Sequence, residues 1–159
     1  MSKNKIINSS YNGVLVIRAK NALFNAGFDG LPRTLPDGTI FATDKALKYC
    51  IREYLAKFEN KNVFVRRNRK LNSKGEYIYD TLEQNFENKT GKKLNDKKIT
   101  DKKIIEELKS FIDVRLFGIV FSPSGKKINI SFTGPVQISY GINKFANSAA
   151  YNLDILSPY

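Results

Sequence analysis

Between Leu23 and Thr39 the sequence places three glycines and two prolines within seventeen residues, interleaved with Phe24, Phe28, Leu31 and Leu35. So many turn formers cannot continue a helix or a strand, and the apolar residues among them would not be left in water. The stretch is expected to be a long loop held in one shape by its own apolar anchors, the kind of loop on which binding groups sit. Before it, Tyr11 to Ala19 reads as a strand, because Val14-Leu15-Val16-Ile17 is a continuous apolar run. Continuous rather than alternating hydrophobicity predicts a central strand covered on both faces. After it comes the clearest helix, Thr43 to Phe58, with Thr43 as N-cap, Asp44 in the first turn and Leu47, Cys50, Ile51, Tyr54, Leu55 and Phe58 on one stripe. Lys45, Lys48 and Arg52 lie on its outer face, the last two one turn apart on the same side.

Beyond the helix, Asn62 to Arg67 reads as a short strand around Val63, Phe64 and Val65, ending in the cationic cluster Arg66-Arg67-Asn68-Arg69-Lys70. From there to about Lys103 the chain is polar and lysine-rich, with turn signals at Ser73-Lys74-Gly75 and a short helix from Thr81 to Phe86, where Thr81 and Gln84 form a capping box. This stretch is expected to stand off the core as a basic insertion. A second firm helix spans Thr100 to Ile112, followed by Asp113-Val114-Arg115-Leu116-Phe117-Gly118 and a strand at Ile119-Val120-Phe121. After a turn at Ser122-Pro123-Ser124-Gly125, alternating residues predict strands at 128–133 and 136–140. Residues 1–10 are expected to be a flexible arm, and 11–159 a single domain. The order of elements predicts an α+β fold: a ferredoxin-like or RNA-recognition-type antiparallel sheet, helices on one face, and a basic insertion at about 66–103.

Charge narrows the partners. Twenty-seven Lys and Arg against fifteen Asp and Glu give a net charge of +12, a field that draws in polyanions, nucleic acid first. No run approaches the length of a membrane span and no signal-peptide pattern opens the chain, so a cytoplasmic protein without a membrane partner is expected. With no histidine and one cysteine, imidazole or thiolate metal sites and Ser-His or Cys-His pairs lack their parts. Cys50, on the apolar stripe of the helix, is expected to be an inert core thiol.

Asp29, Asp37 and Asp44 are the candidate set for a Mg²⁺-dependent phosphodiester cleavage. The same residues fit plain structural roles, since Asp29-Gly30 and Asp37-Gly38 are turn dipeptides and Asp44 neighbours a cap, and that reading is preferred. Asp113 and Arg115 are expected to form a buried ion pair that fixes the backbone. No catalytic residue, metal or cofactor is expected. Clustered Lys and Arg with aromatics such as Phe24, Phe28, Tyr49 and Phe64 suit phosphates and base stacking, and the lack of a duplex-reading signature points to a single strand or RNA.

Five ordered blocks carry a resemblance. Residues 24–33, Leu35-Pro36-Asp37-Gly38, Ala42 to Lys48 with Ile51 to Leu55, Asp113 to Gly118, and Thr133-Gly134-Pro135-Val136-Gln137 together resemble the backbone subunit of type I CRISPR surveillance (Cascade) complexes, most closely subtype I-B. The resemblance implies an RNA-recognition-type palm with a finger at about 66–103 and no catalytic activity. Several copies would line up along a CRISPR RNA beside other effector subunits, holding it for pairing with target DNA. It places phosphate or RNA contacts at Asn25, Arg33, Lys45, Lys48 and Arg52, and the basic finger adds Arg66 and Arg67. The sequence departs from the family where Asn-Pro-Asn-Gly-Asp often opens the loop, and on this resemblance the family's C-terminal part is expected to be absent from the sequence. Two alternatives stay open: a metal-dependent endoribonuclease using Asp29 or Asp37, and a generic basic single-stranded RNA-binding protein.

Overall fold

A computed structural model of the chain describes residues 8–20, 22, 24–96 and 99–145; residues 1–7 of the expected arm, the tail Asn152 to Tyr159, and Leu23, Lys97 and Lys98 lie outside them. The elements are β1 (Phe41–Ala42), α1 (Asp44–Lys57), β2 (Arg69–Leu71), β3 (Tyr77–Tyr79), α2 (Leu82–Thr90), α3 (Asp101–Lys109), α4 (Ile112–Phe117), β4 (Gly118–Phe121), β5 (Ile130–Thr133) and β6 (Gly141–Ile142). The strands pair antiparallel as β1 with β6, β2 with β3 and β4 with β5. The fold is α+β, with the strands of the described residues distributed over three two-stranded ladders.

The loop before α1 is built from two successive tight turns. Gly27 N–H donates to Leu31 O at 2.7 Å, and Leu35 N–H to Thr39 O at 2.9 Å. Gly30 and Gly38 take φ of 77° and 83°, a conformation that glycine adopts without strain. In each turn the preceding aspartate accepts the N–H two residues on, Asp29 from Leu31 at 3.0 Å and Asp37 from Thr39 at 2.9 Å. The chain then enters α1 through Thr43, whose hydroxyl accepts from Ala46 N–H at 3.3 Å.

The core lies between the far half of the supposed insertion and the β4–β5 hairpin. Phe86 and Leu94 are buried in one cluster with Phe64, Ile104, Leu108, Phe111, Val114, Phe121 and Ile130. Phe64 packs against Phe111 and Phe121 with ring centroids 5.3 and 6.1 Å apart, and Phe86 against Phe121 at 5.4 Å. Full burial of side chains this size is worth about 1.5–3 kcal/mol each. Phe86 and Leu94 tie the second half of the polar, lysine-rich stretch to this cluster, while Gly91, Lys92, Lys93 and Asn95 are exposed like the β2–β3 hairpin. The capping box opening α2 is present, with Thr81 and Gln84 exchanging hydrogen bonds.

Several expectations are corrected, the strand predicted at 136–140 among them, since those residues join no ladder. Residues 11–19 join no ladder, and Val14, Leu15 and Val16 are 93%, 65% and 85% exposed. An apolar run records a need for cover but carries no address for a partner. The stripe of α1 is only half covered: Leu47, Ile51 and Leu55 are half-buried, Tyr54 and Phe58 exposed, and Cys50 is an exposed thiol instead of a core one. The helix expected from Thr100 to Ile112 breaks at Phe111, whose ψ of 134° is extended, and restarts as α4 over the Asp113–Phe117 block.

Candidate nucleic-acid interface

On the outer face of α1, Lys45 is exposed, while Lys48 and Arg52 turn toward α4. Their cationic groups stand 5.6 and 5.2 Å from the centre of the Phe117 ring. Lys48 Nζ also holds Asp44 Oδ2 at 2.8 Å, and that hydrogen bond keeps the Asp44 carboxyl below the usual range. Arg52 Nε donates to Asp113 Oδ2 at 3.0 Å. The buried partner of Asp113 is thus Arg52, sixty-one positions away in sequence; Arg115, two residues from Asp113, is exposed on the other side of α4.

Asp113 does more than pair. Fully buried, it accepts from Phe64 N–H at 2.7 Å through Oδ1 and from Val65 N–H at 2.9 Å through Oδ2. The carbonyls of the same segment are taken by Lys89 Nζ, at 2.8 Å from Val63 O and 2.9 Å from Phe64 O, and by Asn85 Nδ2, at 3.0 Å from Phe64 O. The strand expected around Val63 to Val65 is not formed: the segment joins no ladder and bends at Phe64 and Val65, and side chains satisfy its backbone in place of a neighbouring strand. Desolvation lowers the Lys89 amine from its ordinary range, with the charge of Asp113 pulling the other way. Phe64, a candidate for base stacking from its sequence context, lies at the centre of the core and cannot meet a base.

In the loop, Asn25 takes φ of 61° and its Oδ1 accepts from both Thr43 N–H at 2.6 Å and Thr43 Oγ1 at 2.8 Å, tying the loop start to the cap of α1. Arg33 is half-buried; its carbonyl accepts from Phe41 N–H at 2.9 Å, and its Nε is buried without a hydrogen-bond partner. Asp29 and Asp37 are occupied by their turns, and among the described residues no three His, Cys, Asp or Glu side chains gather to hold a metal ion. The hydrogen bond from Thr39 N–H holds the Asp37 carboxyl below its usual range.

A second cationic strip runs from Lys61 to Lys89. A shallow groove of about 340 Å³ at its base is lined in part by Lys61, Asn62, Arg66, Asn68, Lys89 and Ser110. Arg66 reaches back to α1, its Nε 2.9 Å from Glu53 Oε1, and Lys70 Nζ lies 2.7 Å from Asp80 Oδ1. Arg67 and Arg69 instead lie over tyrosines, Arg67 5.4 Å from the Tyr79 ring centre and Arg69 3.9 Å from that of Tyr77. Sequence reasoning passed over Arg69, Tyr77 and Tyr79. The signal was present in the spacings Arg67-x-Arg69 and Tyr77-x-Tyr79 on either side of the Ser73-Lys74-Gly75 turn, which is the pattern of one face of a hairpin.

A basic α+β chain whose cations gather on one helix and one neighbouring strip has the makeup of a nucleic-acid-binding protein. None of its described helices is long and apolar enough to cross a membrane. The family model of CRISPR-associated protein Cas7 matches residues 9–158, and the chain belongs to that family. Membership implies a CRISPR RNA-binding backbone subunit of an effector complex in antiviral defence. No curated protein and no solved structure matches the chain.

Proposed function

We propose that this chain grips a CRISPR guide RNA along its sugar-phosphate backbone. Several copies, lined up along the guide beside other effector subunits in a type I surveillance complex, would hold it for pairing with target DNA without cutting it. The observation that carries this reading is the family match across residues 9–158. The net charge of +12 supplies the sequence-independent attraction such a role requires. Exposed Lys45 and Arg67 lead the phosphate-facing set, Lys48 and Arg66 contribute from within their pairings to Asp44 and Glu53, and Asn25 and Arg33 contact the RNA from the loop. Arg52 contributes from within its pairing to Asp113. The loop and helix blocks favour subtype I-B within the family, and the cytoplasm is where such an RNA is met. A palm in residues 11–159 with a finger at about 66–103 is the arrangement this reading assigns.

The test is RNA binding across a salt series. Lys45→Ala with Lys48→Ala is expected to weaken single-stranded RNA binding at every sequence and to flatten the slope of log K against log salt by roughly 0.7 for each phosphate no longer neutralised. Arg52 is left intact, because its removal would also strand a buried carboxylate. Labelled RNA incubated with Mg²⁺ is expected to stay whole. An unchanged salt slope would overturn the assignment of the helix face, and cleavage abolished by Asp29→Asn or Asp37→Asn would replace a binder with a nuclease.

A further inference from the structure

We propose that one face of the β2–β3 hairpin is a base-stacking platform for single-stranded RNA, built from Arg67, Arg69, Tyr77 and Tyr79; this rests on the RNA-binding reading above and adds to it a contact with bases. The hairpin register sets Arg69 opposite Tyr79 and Leu71 opposite Tyr77, with Lys70 opposite Ile78. Side chains alternate across a strand, so Arg69, Leu71, Tyr77 and Tyr79 share one face and Lys70 and Ile78 the other. On the second face Lys70 is held by Asp80 and Gln84 at the start of α2, and Ile78 is less exposed than the tyrosines, at 40%. The first face is open: Tyr77 is 61% exposed and Tyr79 53%.

Charge separates this face from its surroundings. Arg66 is neutralised by Glu53 and Lys70 by Asp80, whereas Arg67 and Arg69 form no ion pair among the described residues. These two unpaired guanidiniums are the ones that lie on tyrosine rings. A cation on one face of a ring fixes the ring and leaves its charge for an anion. Tyr77 and Tyr79 stand two residues apart on one strand, roughly 6.6 Å along it, about twice the roughly 3.4 Å rise per nucleotide, so alternate bases of one strand match the spacing of the two residues. A ligand that carries π-faces and phosphates at that repeat is a single nucleic-acid strand. In a duplex the faces are already stacked. Arg67 and Arg69 would then meet the flanking phosphates while the tyrosines take the bases. The turn at Asn72 to Glu76 holds the platform in shape, with Asn72 Oδ1 accepting from both Lys74 N–H and Glu76 N–H at 2.9 Å.

The experiment uses the full chain and a single-stranded oligoribonucleotide carrying 2-aminopurine, beside the DNA oligonucleotide of the same sequence. Binding is expected to quench the 2-aminopurine, and Tyr77→Leu with Tyr79→Leu to abolish the quenching and weaken affinity roughly tenfold or more while leaving the salt slope unchanged, since no cation is removed. Wild-type affinity and quenching in that variant would overturn the platform and leave the RNA-binding reading standing. No RNA binding by the wild-type chain would overturn both. Quenching by the DNA strand alone would overturn the commitment to RNA. Cross-linking of 4-thiouridine RNA to the wild-type chain gives an answer independent of variant folding. Adducts on Tyr77 or Tyr79 are expected, and adducts confined to peptides outside residues 67–79 would overturn the proposal.

Discussion

Replacing Asp113 by alanine tests the clamp that joins α1, α4 and the Val63–Val65 segment. The carboxylate is fully buried and takes three donors: Phe64 N–H at 2.7 Å, Val65 N–H at 2.9 Å and Arg52 Nε at 3.0 Å. A buried donor left without a partner costs about 1–3 kcal/mol. Phe64 is fully buried and belongs at the upper end of that range, whereas Val65, 44% exposed, belongs at the lower end because water can take the place of the carboxylate. Breaking a buried ion pair by removing one partner costs about 3–5 kcal/mol, and the Arg52 side chain, 13% exposed, recovers only part of that through water. These terms overlap, so the expected loss for Asp113→Ala is roughly 4–6 kcal/mol, a large share of the about 5–15 kcal/mol that holds a domain together. Asp113→Asn keeps one acceptor and turns an amide toward Arg52, for a smaller loss of roughly 2–3 kcal/mol. Arg52→Met takes the guanidinium away from Phe117 and Asp113 but leaves Asp113 its two backbone donors, and its effect should be strongly non-additive with that of Asp113→Asn. Urea titration followed by far-ultraviolet circular dichroism measures all three. A loss below about 1 kcal/mol for Asp113→Ala would refute the clamp.

The remaining predictions concern other links. Gly118, at φ 79° and ψ −174°, would drive a Cβ into the backbone of Phe132 and Gly134, so Gly118→Ala should cost more than the roughly 1–3 kcal/mol of that backbone region alone, and much more than Gly75→Ala, where the φ is similar but the space is open; thermal unfolding of the pair compares them. Thr81→Ala removes a capping box and should cost about 1 kcal/mol in the same assay. The carboxyls of Asp44, Glu53 and Asp80 are each lowered chiefly by a hydrogen-bonded lysine, Lys48, Lys57 and Lys70 respectively. Groups with depressed folded-state values contribute stability that is complete above their ordinary values of 3.8 to 4.5 and is lost as pH falls through the lowered ones, so urea midpoints should be flat above pH 4.5 and drop below it. A midpoint that rises on acidification would contradict those pairings.

Local signals were legible where the chemistry is local. Thr43 and Thr81 announce the starts of α1 and α2, and Asp-Gly in two places announces the paired turns of the loop. The alternation around Ile130 marks β5. What could not be read is long-range. Asp113 finds Arg52 and not Arg115 because α4 restarts after Phe111, a break that no residue between Thr100 and Ile112 announces. Phe86 and Leu94 lie in a stretch polar enough to pass for a solvated insertion, yet both are buried in the core cluster, with Leu82 and Ile99 packed against it and Asn85 and Lys89 bonded to the Val63 and Phe64 carbonyls. The cations were visible as a list, but their division into paired ones, such as Arg66 and Lys70, and tyrosine-stacked ones, Arg67 and Arg69, depends on which carboxylates the fold brings near. The aromatics chosen for stacking divide in the same way, Phe64 being buried and Phe28 and Tyr49 exposed.

The central claim is that this basic chain holds a guide RNA. The most direct measurement is to express it beside a CRISPR array and the other effector subunits, purify it, and sequence and size the RNA that comes with it. Guide RNA of one uniform length, released by high salt, is the predicted result; RNA of mixed lengths and sequences, or none, would contradict it.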